Sequence, residues 1–365
     1  MDVYNKYDLK KVINASGKMT VLGVSKVSEE VTKELNVGLN NFFIMDELFK
    51  NTGKFIAKQL DAEAACITSS ASAGIALSIA SLIAKDNLYD TENLYRVNTS
   101  KRDVLMLKGH NINYGGNIET MVNMGYGKVK EVGSANVSLI EHVEQSINDD
   151  TLCFLYVKSH HCVQKNQVSL EKIIEICSKK SIPVIVDAAA EEDMKHYYKA
   201  EADIVVYSGA KAIEGPTSGF VIGKKQYIDN VYFQYKGIGR AMKIGKEGIL
   251  GLSKAIELFT QRESSITLQK ELVSEIISKV NKNDIFSLDM SMDLAGRDIA
   301  RVMLNTNPLE AKSIIDYLVN DSTAIETRNH QSNLGKIEFD VRQVSNEEAK
   351  IIAERLNKYV EKKCN

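Results

Sequence analysis

The stretch most suggestive of chemistry is YSGAKAIEGP, residues 207–216, because it places Lys211 directly after an apolar segment. Residues 203–207 and 218–223 are both largely apolar, which predicts two strands that flank the lysine. Burying an ammonium group costs free energy unless its charge is neutralised or hydrogen-bonded. A Schiff base removes that charge, so Lys211 is a candidate lysine for pyridoxal 5'-phosphate (PLP).

A second candidate, Asp187, lies upstream of the lysine and ends the apolar segment PVIVD, residues 183–187. PLP needs an anion beside its pyridine nitrogen, so that the ring stays protonated and withdraws electrons. If the two segments are neighbouring strands, Asp187 and Lys211 lie at one edge of a sheet. Each motif also has a structural interpretation, since aspartate often caps a turn and a Ser-Gly-x-Lys turn is often a surface loop.

A third stretch is suited to a phosphate group. A short apolar segment passes through TSSAS, residues 68–72, into an apolar helical pattern. Small residues let a phosphate approach the backbone, and the unpaired N–H groups and the dipole at a helix start attract an anion. The alternative is an ordinary serine cap on a buried helix. Three serines within four positions favour the phosphate.

The elements that position these residues alternate between strand and helix. This alternation predicts an α/β fold with a mostly parallel sheet and helices on both faces. Ligands collect beyond the carboxyl ends of such strands. His110, at one of these ends, either stacks over a cofactor ring or is a hydrogen-bonded loop histidine. The polar residues at predicted strand ends are His110, Lys158, His160, His161, Asp187 and Lys211.

The chain is expected to divide into an N-terminal arm (1–25), a large domain (26–250), and a linking helix with a small α+β domain (251–365). A continuous helical pattern predicts one long helix from about residue 247 to 279. Further along the chain, strands are predicted at residues 300–304, 323–328 and 336–341, and helices at residues 308–319 and 346–362.

Composition narrows the class of protein. The 365 residues are 44% hydrophobic and 26% charged, and a net charge of −2 gives no electrostatic case for nucleic acid or a membrane surface. Five cysteines without CxxC spacing favour free thiols in a reducing compartment and no metal site. The N-terminal residues lack a signal-peptide core, and no apolar run is long enough to span a bilayer. A cytoplasmic protein is expected.

Four stretches resemble the selenocysteine synthase-like group of fold-type I PLP-dependent enzymes, and a looser similarity covers residues 240–252. The resemblance implies an aspartate aminotransferase-like large domain and a small C-terminal α+β domain. It also implies a homodimer or higher homo-oligomer with sites near the subunit interface. The matching stretches are VINASG (residues 12–17), TSSASA (68–73), PVIVD (183–187) and YSGAKAIEGPTSG (207–219).

The resemblance also implies roles for individual residues. Lys211 would carry the cofactor, and Asp187 would pair with the pyridine nitrogen. The selenium transferases have an additional N-terminal domain that helps to bind tRNA, whereas this sequence begins at the arm, so no nucleic acid partner is expected. The residues implied to hold the cofactor phosphate are Ser70, Ala71, Ser72 and Ser208.

The expected reaction eliminates water from a 2-amino-3-hydroxy sugar acid phosphate and then releases ammonia and a 2-keto-3-deoxy acid. Lys211 would take the Cα proton. An acid must assist the leaving hydroxyl, and His160, His161 and Lys158 are the candidates near the substrate. Selenium or sulfur transfer, a β-lyase reaction on another amino acid, and non-catalytic PLP binding are the alternatives.

Such a substrate brings two anions, a carboxylate and a phosphate. Arg328 lies in the predicted small domain, where fold-type I enzymes commonly keep a carboxylate-binding arginine, and a guanidinium suits bidentate binding. Arg240, Lys243 and Lys246 form the best basic cluster for the phosphate. Each of these four residues is otherwise a solvated surface charge.

Overall fold

The computed structural model describes residues 2–159, 161–262, 265–293 and 297–364. The chain folds into two compact units. The larger unit spans residues 27–261, and the smaller unit combines residues 1–26 with residues 262–365. None of the described helices is both long enough and apolar enough to cross a membrane.

The described strands and helices are numbered in chain order. The strands are β1 (Lys11–Ala15), β2 (Ala64–Thr68), β3 (Asp103–Leu107), β4 (Lys128–Val132), β5 (Thr151–Val157), β6 (Val184–Asp187), β7 (Ile204–Ser208), β8 (Gly219–Gly223), β9 (Ser287–Met292), β10 (Ala300–Asn305), β11 (Thr323–Thr327) and β12 (Lys336–Asp340). The helices are α1 (Val3–Tyr7), α2 (Glu29–Asn40), α3 (Met45–Gln59), α4 (Ala71–Ala84), α5 (Leu88–Glu92), α6 (Ile118–Met124), α7 (Ile140–Ser146), α8 (Leu170–Lys179), α9 (His196–Lys199), α10 (Lys225–Phe233), α11 (Lys246–Thr260), α12 (Ile266–Lys279), α13 (Pro308–Val319) and α14 (Asn346–Cys364).

The larger unit is built on a sheet whose described strands lie in the order β2-β8-β7-β6-β5-β3-β4. Strands β4, β3, β5, β6 and β7 pair in parallel, whereas β8 is antiparallel to both of its neighbours. Residues 204–207 of β7 are all buried, as expected for a strand covered on both faces. Val206 packs in the core that contains α4, and Tyr207 lies in the core on the opposite face.

One edge of this sheet gathers the polar residues that the sequence singles out. Strands β5, β6 and β7 are parallel, so Lys158, Asp187 and Ser208 follow or end them at the same edge. Strand β8 runs opposite to both β7 and β2, so β2 runs in the direction of β7. The carboxyl end of β2, and with it the start of α4, therefore lies at this edge as well.

The smaller unit joins the two ends of the chain. Strand β1 pairs in parallel with β11, with Ile13 opposite Ile325. A second sheet has the order β12-β10-β9 in the described residues, with antiparallel pairing throughout. Its core includes residues of α12, α13 and α14. The N-terminal arm is thus part of this unit, and its backbone hydrogen bonds are made with a segment about 300 residues away.

The single long helix predicted over residues 247–279 is wrong. Helix α11 ends at Thr260 and belongs to the larger unit, and α12 begins at Ile266 in the smaller unit. Helix α11 packs so closely on α2 that a Cβ atom at Gly38 would lie 2.4 Å from the Cα atom of Glu247. Because α11 packs in this way, the larger unit extends to residue 261 rather than to the expected boundary at residue 250.

Candidate active site

Lys211 lies in a tight turn between β7 and β8. The turn is closed by backbone hydrogen bonds in which the Gly209 amide donates to the Ser218 carbonyl (2.9 Å) and the Gly215 amide donates to the Gly209 carbonyl (2.8 Å). A Cβ atom at Gly209 would lie 2.2 Å from the Ser218 hydroxyl, so only glycine fits this close approach. These contacts position the half-buried Lys211 at the carboxyl edge of the sheet.

Asp187 ends the strand next to β7, as the sequence predicts, and interacts electrostatically with Lys211. The Asp187 carboxylate is buried and accepts a hydrogen bond from the Ala189 amide (3.1 Å). Burial raises the pKa of Asp187, whereas the lysine and the amide oppose that rise. Burial likewise lowers the pKa of Lys211, whereas Asp187 opposes that fall. Asp187 and Lys211 therefore provide an acid and an amine whose charges stabilise each other in a partly desolvated site.

The start of α4 forms a small backbone cradle against β8. Ser70 caps the helix, because its hydroxyl accepts the Ala73 amide (3.0 Å). A Cβ atom at Gly219 would lie 2.3 Å from the Ser70 carbonyl carbon and 2.5 Å from the Ala71 amide nitrogen. The first amides of α4 have no partner within the helix, and the positive end of its dipole lies here. This arrangement can hold an anion.

Tyr114, which the sequence analysis does not single out, reaches the same helix start. Its hydroxyl lies 3.3 Å from the hydroxyl of Ser72. Burial raises the pKa of Tyr114, the hydrogen bond to Ser72 lowers it, and nearby Asp187 raises it further. Tyr114 therefore lies close to both the helix start and the acid. The signal that could have pointed to it is an aromatic residue in the polar stretch NINYGGN, residues 111–117, just after a strand end.

His110 is a buried, hydrogen-bonded histidine at the end of the 3-10 helix Lys108–His110. Its Nδ1 atom accepts the Val157 amide (3.3 Å), and its ring meets the Tyr156 ring edge-on at a centroid distance of 4.6 Å. Burial, with a smaller contribution from Lys158, lowers the pKa of His110 to about 4. The ring is therefore neutral near pH 7. Stacking over a cofactor ring, the other sequence-based interpretation of His110, stays a prediction.

The family assignment follows from the sequence itself. Residues 12–285 match the model of the family described as L-seryl-tRNA selenium transferase, SelA. The chain belongs to this family. The match includes most of β1, the whole larger unit and the Lys211 turn, which agrees with the resemblance noted in the sequence.

Two curated relatives cover nearly the whole of this SelA-family chain. D-glucosaminate-6-phosphate ammonia lyase of Salmonella typhimurium is 39% identical over 99% of this chain and 98% of its own. The 5'-C-glycyluridine monooxygenase-decarboxylase of a Streptomyces species is 30% identical over 97% of this chain and 90% of its own. A solved structure of D-glucosaminate-6-phosphate ammonia-lyase matches with a TM-score of 0.92 and 38% identity, covering 100% of both chains. The fold is that of the fold-type I PLP-dependent enzymes.

The basic residues predicted to bind the substrate lie in different surroundings. Arg240 and Lys243 are exposed, on and after the 3-10 helix Ile238–Met242. Lys246 instead donates to the carbonyl oxygens of Gly38 and Leu39 at the end of α2, so it serves as a helix cap. The contact gives Lys246 a structural role, and its membership of the expected phosphate-binding cluster stays a prediction.

Two further predicted substrate residues need separate mention. Arg328, in the smaller unit, donates from Nε to the carboxylate of Glu338 (3.1 Å). It is therefore an internally paired arginine rather than a solvated charge. His160 lies outside the described residues. Its neighbour His161 is exposed and donates its backbone amide to the Ser159 hydroxyl (3.3 Å).

Proposed function

We propose that this protein is a PLP-dependent ammonia-lyase that converts D-glucosaminate 6-phosphate to 2-keto-3-deoxygluconate 6-phosphate and ammonia. The observation that carries the proposal is the similarity to the Salmonella typhimurium lyase, which extends over the length of both chains. The match to the solved lyase structure supports it independently of local motifs.

The residues at the sheet edge fit the cofactor. Lys211 is a half-buried amine, Asp187 is a buried acid on the adjacent strand, and the start of α4 is a cradle that the missing side chain of Gly219 keeps open. Lys211 would hold the PLP aldehyde, Asp187 would contact the pyridine nitrogen, and the phosphate would be held at the helix start. When bound, PLP supplies an electron sink that stabilises negative charge at the substrate Cα atom. The proposed phosphate-binding residues are Ser70, Ala71, Ser72 and Ser208.

The chain's own residues would move the protons. Partial burial favours the neutral amine of Lys211, so its Nζ atom is suited to take the proton from Cα. The C3 hydroxyl then leaves as water with a proton from an acid, for which Lys158, His160 and His161 are the candidates. The product tautomerises and takes up one water as it releases ammonia, so the water lost is regained and the atoms balance.

Recognition of the two anionic ends of the substrate would use cations. Arg240 and Lys243 are exposed and are the candidates for the distal phosphate. Arg328 is the candidate for the carboxylate, since a guanidinium that is bound to Glu338 through Nε still has other donors in its fork.

A homo-oligomer is also proposed, on the basis of an exposed apolar segment in the larger unit. The side chains of Val37, Leu39, Phe42 and Ile44 are exposed, and Phe42 is 100% exposed in the single chain. A concentration of large apolar side chains at the surface is typical of an interface.

The free thiols of all five cysteines, each among the described residues, support a reducing compartment such as the cytoplasm.

The test is an absorbance spectrum of the purified protein, followed by an assay for ammonia and 2-keto acid with D-glucosaminate 6-phosphate. We expect a visible band of bound PLP that changes with substrate, and release of both products. Lys211→Ala should lose the band and the activity, whereas Lys225→Ala, at an exposed lysine paired with Asp229, should keep both.

The outcomes separate the alternatives. A PLP band without either product would contradict the proposed substrate and favour another reaction of the family, such as selenium or sulfur transfer or a β-lyase reaction. A protein supplied with PLP that shows no band would contradict the cofactor, and with it the assigned roles of Lys211 and Asp187.

A further inference from the structure

The loop after β3 holds Tyr114 against the start of α4. The loop is closed by backbone hydrogen bonds from the Tyr114 amide to the Gly116 carbonyl (3.2 Å) and from the Ile118 amide to the Ile112 carbonyl (3.1 Å). The Asn113 side chain accepts the Gly115 amide (2.9 Å). Tyr114 is half-buried and packs against the core on the α4 face of the sheet. Its ring is therefore positioned by the loop, independently of the contact that its hydroxyl makes.

The hydroxyl contact between Tyr114 and Ser72 leaves one proton available. Each hydroxyl can donate once and can also accept. Their mutual hydrogen bond, at 3.3 Å, uses one proton of the two. The other proton can be donated to a third group at the start of α4. The start of α4 is the positive end of the helix dipole, and its first amides lack partners within the helix, so an anion is the group that the surroundings favour.

The pair lies on the face of the sheet that carries the other candidate cofactor residues. Ile185 of β6 and Val206 of β7 pack in the core that contains α4. Asp187 and Ser208 lie two positions after them on the same strands, so their side chains lie on the same face of the sheet. Asp187 is near enough to Tyr114 to affect its pKa. Tyr114 thus lies on the cofactor face and not in the core on the opposite side of the sheet.

We propose that Tyr114 is a cofactor-binding residue whose hydroxyl, together with that of Ser72, donates to the phosphate group of PLP. This inference rests on the proposed function. Burial and the nearby acid raise the pKa of Tyr114, so the phenol stays protonated near pH 7 and remains a donor. A phosphate dianion offers the acceptor, and hydrogen bonds to charged groups are the stronger ones.

A purely structural hydroxyl would behave differently. If Tyr114 only fixed its own loop to Ser72, removing the hydroxyl would weaken the fold and affect every ligand of the site alike. If it binds the phosphate, the loss should be confined to ligands that carry a phosphate. Pyridoxal, which has the same ring and aldehyde as PLP but no phosphate, distinguishes these cases.

The experiment compares PLP and pyridoxal binding to the full chain after removal of its cofactor, with dissociation constants measured by absorbance titration. Tyr114→Phe should weaken PLP binding roughly tenfold and leave pyridoxal binding within about twofold. Ser72→Ala should act in the same direction, and the double variant should lose less than the product of the two effects, because the hydroxyls act as a pair. Tyr126→Phe, at a partly exposed tyrosine, is the matched control and should bind both ligands as wild type does.

The results that overturn the inference are distinct. Equal losses for PLP and pyridoxal, or a lower melting temperature with unchanged PLP affinity, would assign the hydroxyl to the fold. Unchanged binding of both ligands would assign it no role at the site. Wild-type protein that binds no PLP would overturn the proposed function as well, whereas wild-type binding combined with an unaffected Tyr114→Phe variant would overturn this inference alone.

Discussion

Replacing Gly219 with alanine tests whether the packing of β8 on α4 shapes the phosphate cradle. A Cβ atom at this position would lie 2.3 Å from the Ser70 carbonyl carbon and 2.5 Å from the Ala71 amide nitrogen. Ordinary van der Waals contact begins at 3.4 Å, so the helix start or β8 must move by about 1 Å. Overpacking of this kind costs about 1–3 kcal/mol. For a unit of this size, the melting temperature should fall by roughly 2–12 °C.

Cofactor binding should suffer as well as stability. An amide that moves by about 1 Å lengthens a hydrogen bond from about 2.9 Å to about 3.9 Å, beyond bonding distance. We therefore expect Gly219→Ala to bind PLP at least about tenfold more weakly than wild type, which is the effect of losing one hydrogen bond to a charged group. The assay is a PLP absorbance titration of the refolded or freshly purified full chain, alongside a calorimetric melt of the same sample.

The control is Gly116→Ala, because a Cβ atom there would meet only the Met121 side chain at an unstrained 3.9 Å. That variant should melt and bind PLP as wild type does. The reasoning about Gly219 is refuted if Gly219→Ala matches wild type in both measurements. If it melts lower but binds PLP with unchanged affinity, the close packing is real and the start of α4 is not the phosphate site.

Two further predictions concern single contacts. The pKa of His110 falls from 6.5 unfolded to about 4 folded, so its contribution to stability is present above about pH 6.5 and is lost as the pH falls towards 4. His110→Asn keeps an acceptor for Val157 but does not titrate. Urea denaturation should therefore show that the free energy of unfolding of this variant falls less between these pH values, by up to about 3 kcal/mol. Equal pH profiles for the variant and wild type would show that folding does not lower the pKa of His110. Lys246→Ala should lower the free energy of unfolding by about 0.5–1 kcal/mol, because the last carbonyls of α2 lose a charged donor. Lys243→Ala, at an exposed side chain, should stay within about 0.5 kcal/mol of wild type, and equal losses for the two lysines would contradict the cap.

Local patterns predicted several elements to within a few residues. The predicted helix at residues 308–319 is α13 with the same bounds, because Asn307 caps it and Pro308 suits its first position. The strands that end at Asp187 and Ser208 were recognisable because buried parallel strands consist of continuous apolar residues. These signals are local in sequence, so they require no knowledge of the fold.

Other features depend on distant partners and had no local signal. The pattern over residues 247–279 is helical throughout, yet α11 and α12 pack in different units. The basic character of Lys246 suggested a phosphate ligand, but its partner is the end of α2, more than 200 residues earlier. The role of Tyr114 depends on its contact with Ser72, 42 positions away. Contacts at such separations follow from chain topology and not from the residues around them.

The sequence by itself determined the fold class, the order of elements in the larger unit, and the residue types at the strand ends, because hydrophobic periodicity and turn chemistry act over a few residues. It also carried the family, since the motif around Lys211 and the other matching stretches lie within residues 12–285, which match the family model. Only the tertiary structure decided which of those residues meet. The parallel register of β6 and β7 places Asp187 beside Lys211, and the reversal at β8 brings the start of α4 to the same edge. Titratable side chains acquire shifted pKa values, and hydroxyls and amides acquire ligand-binding roles, from their neighbours in space. Those neighbours are set by how the strands pair.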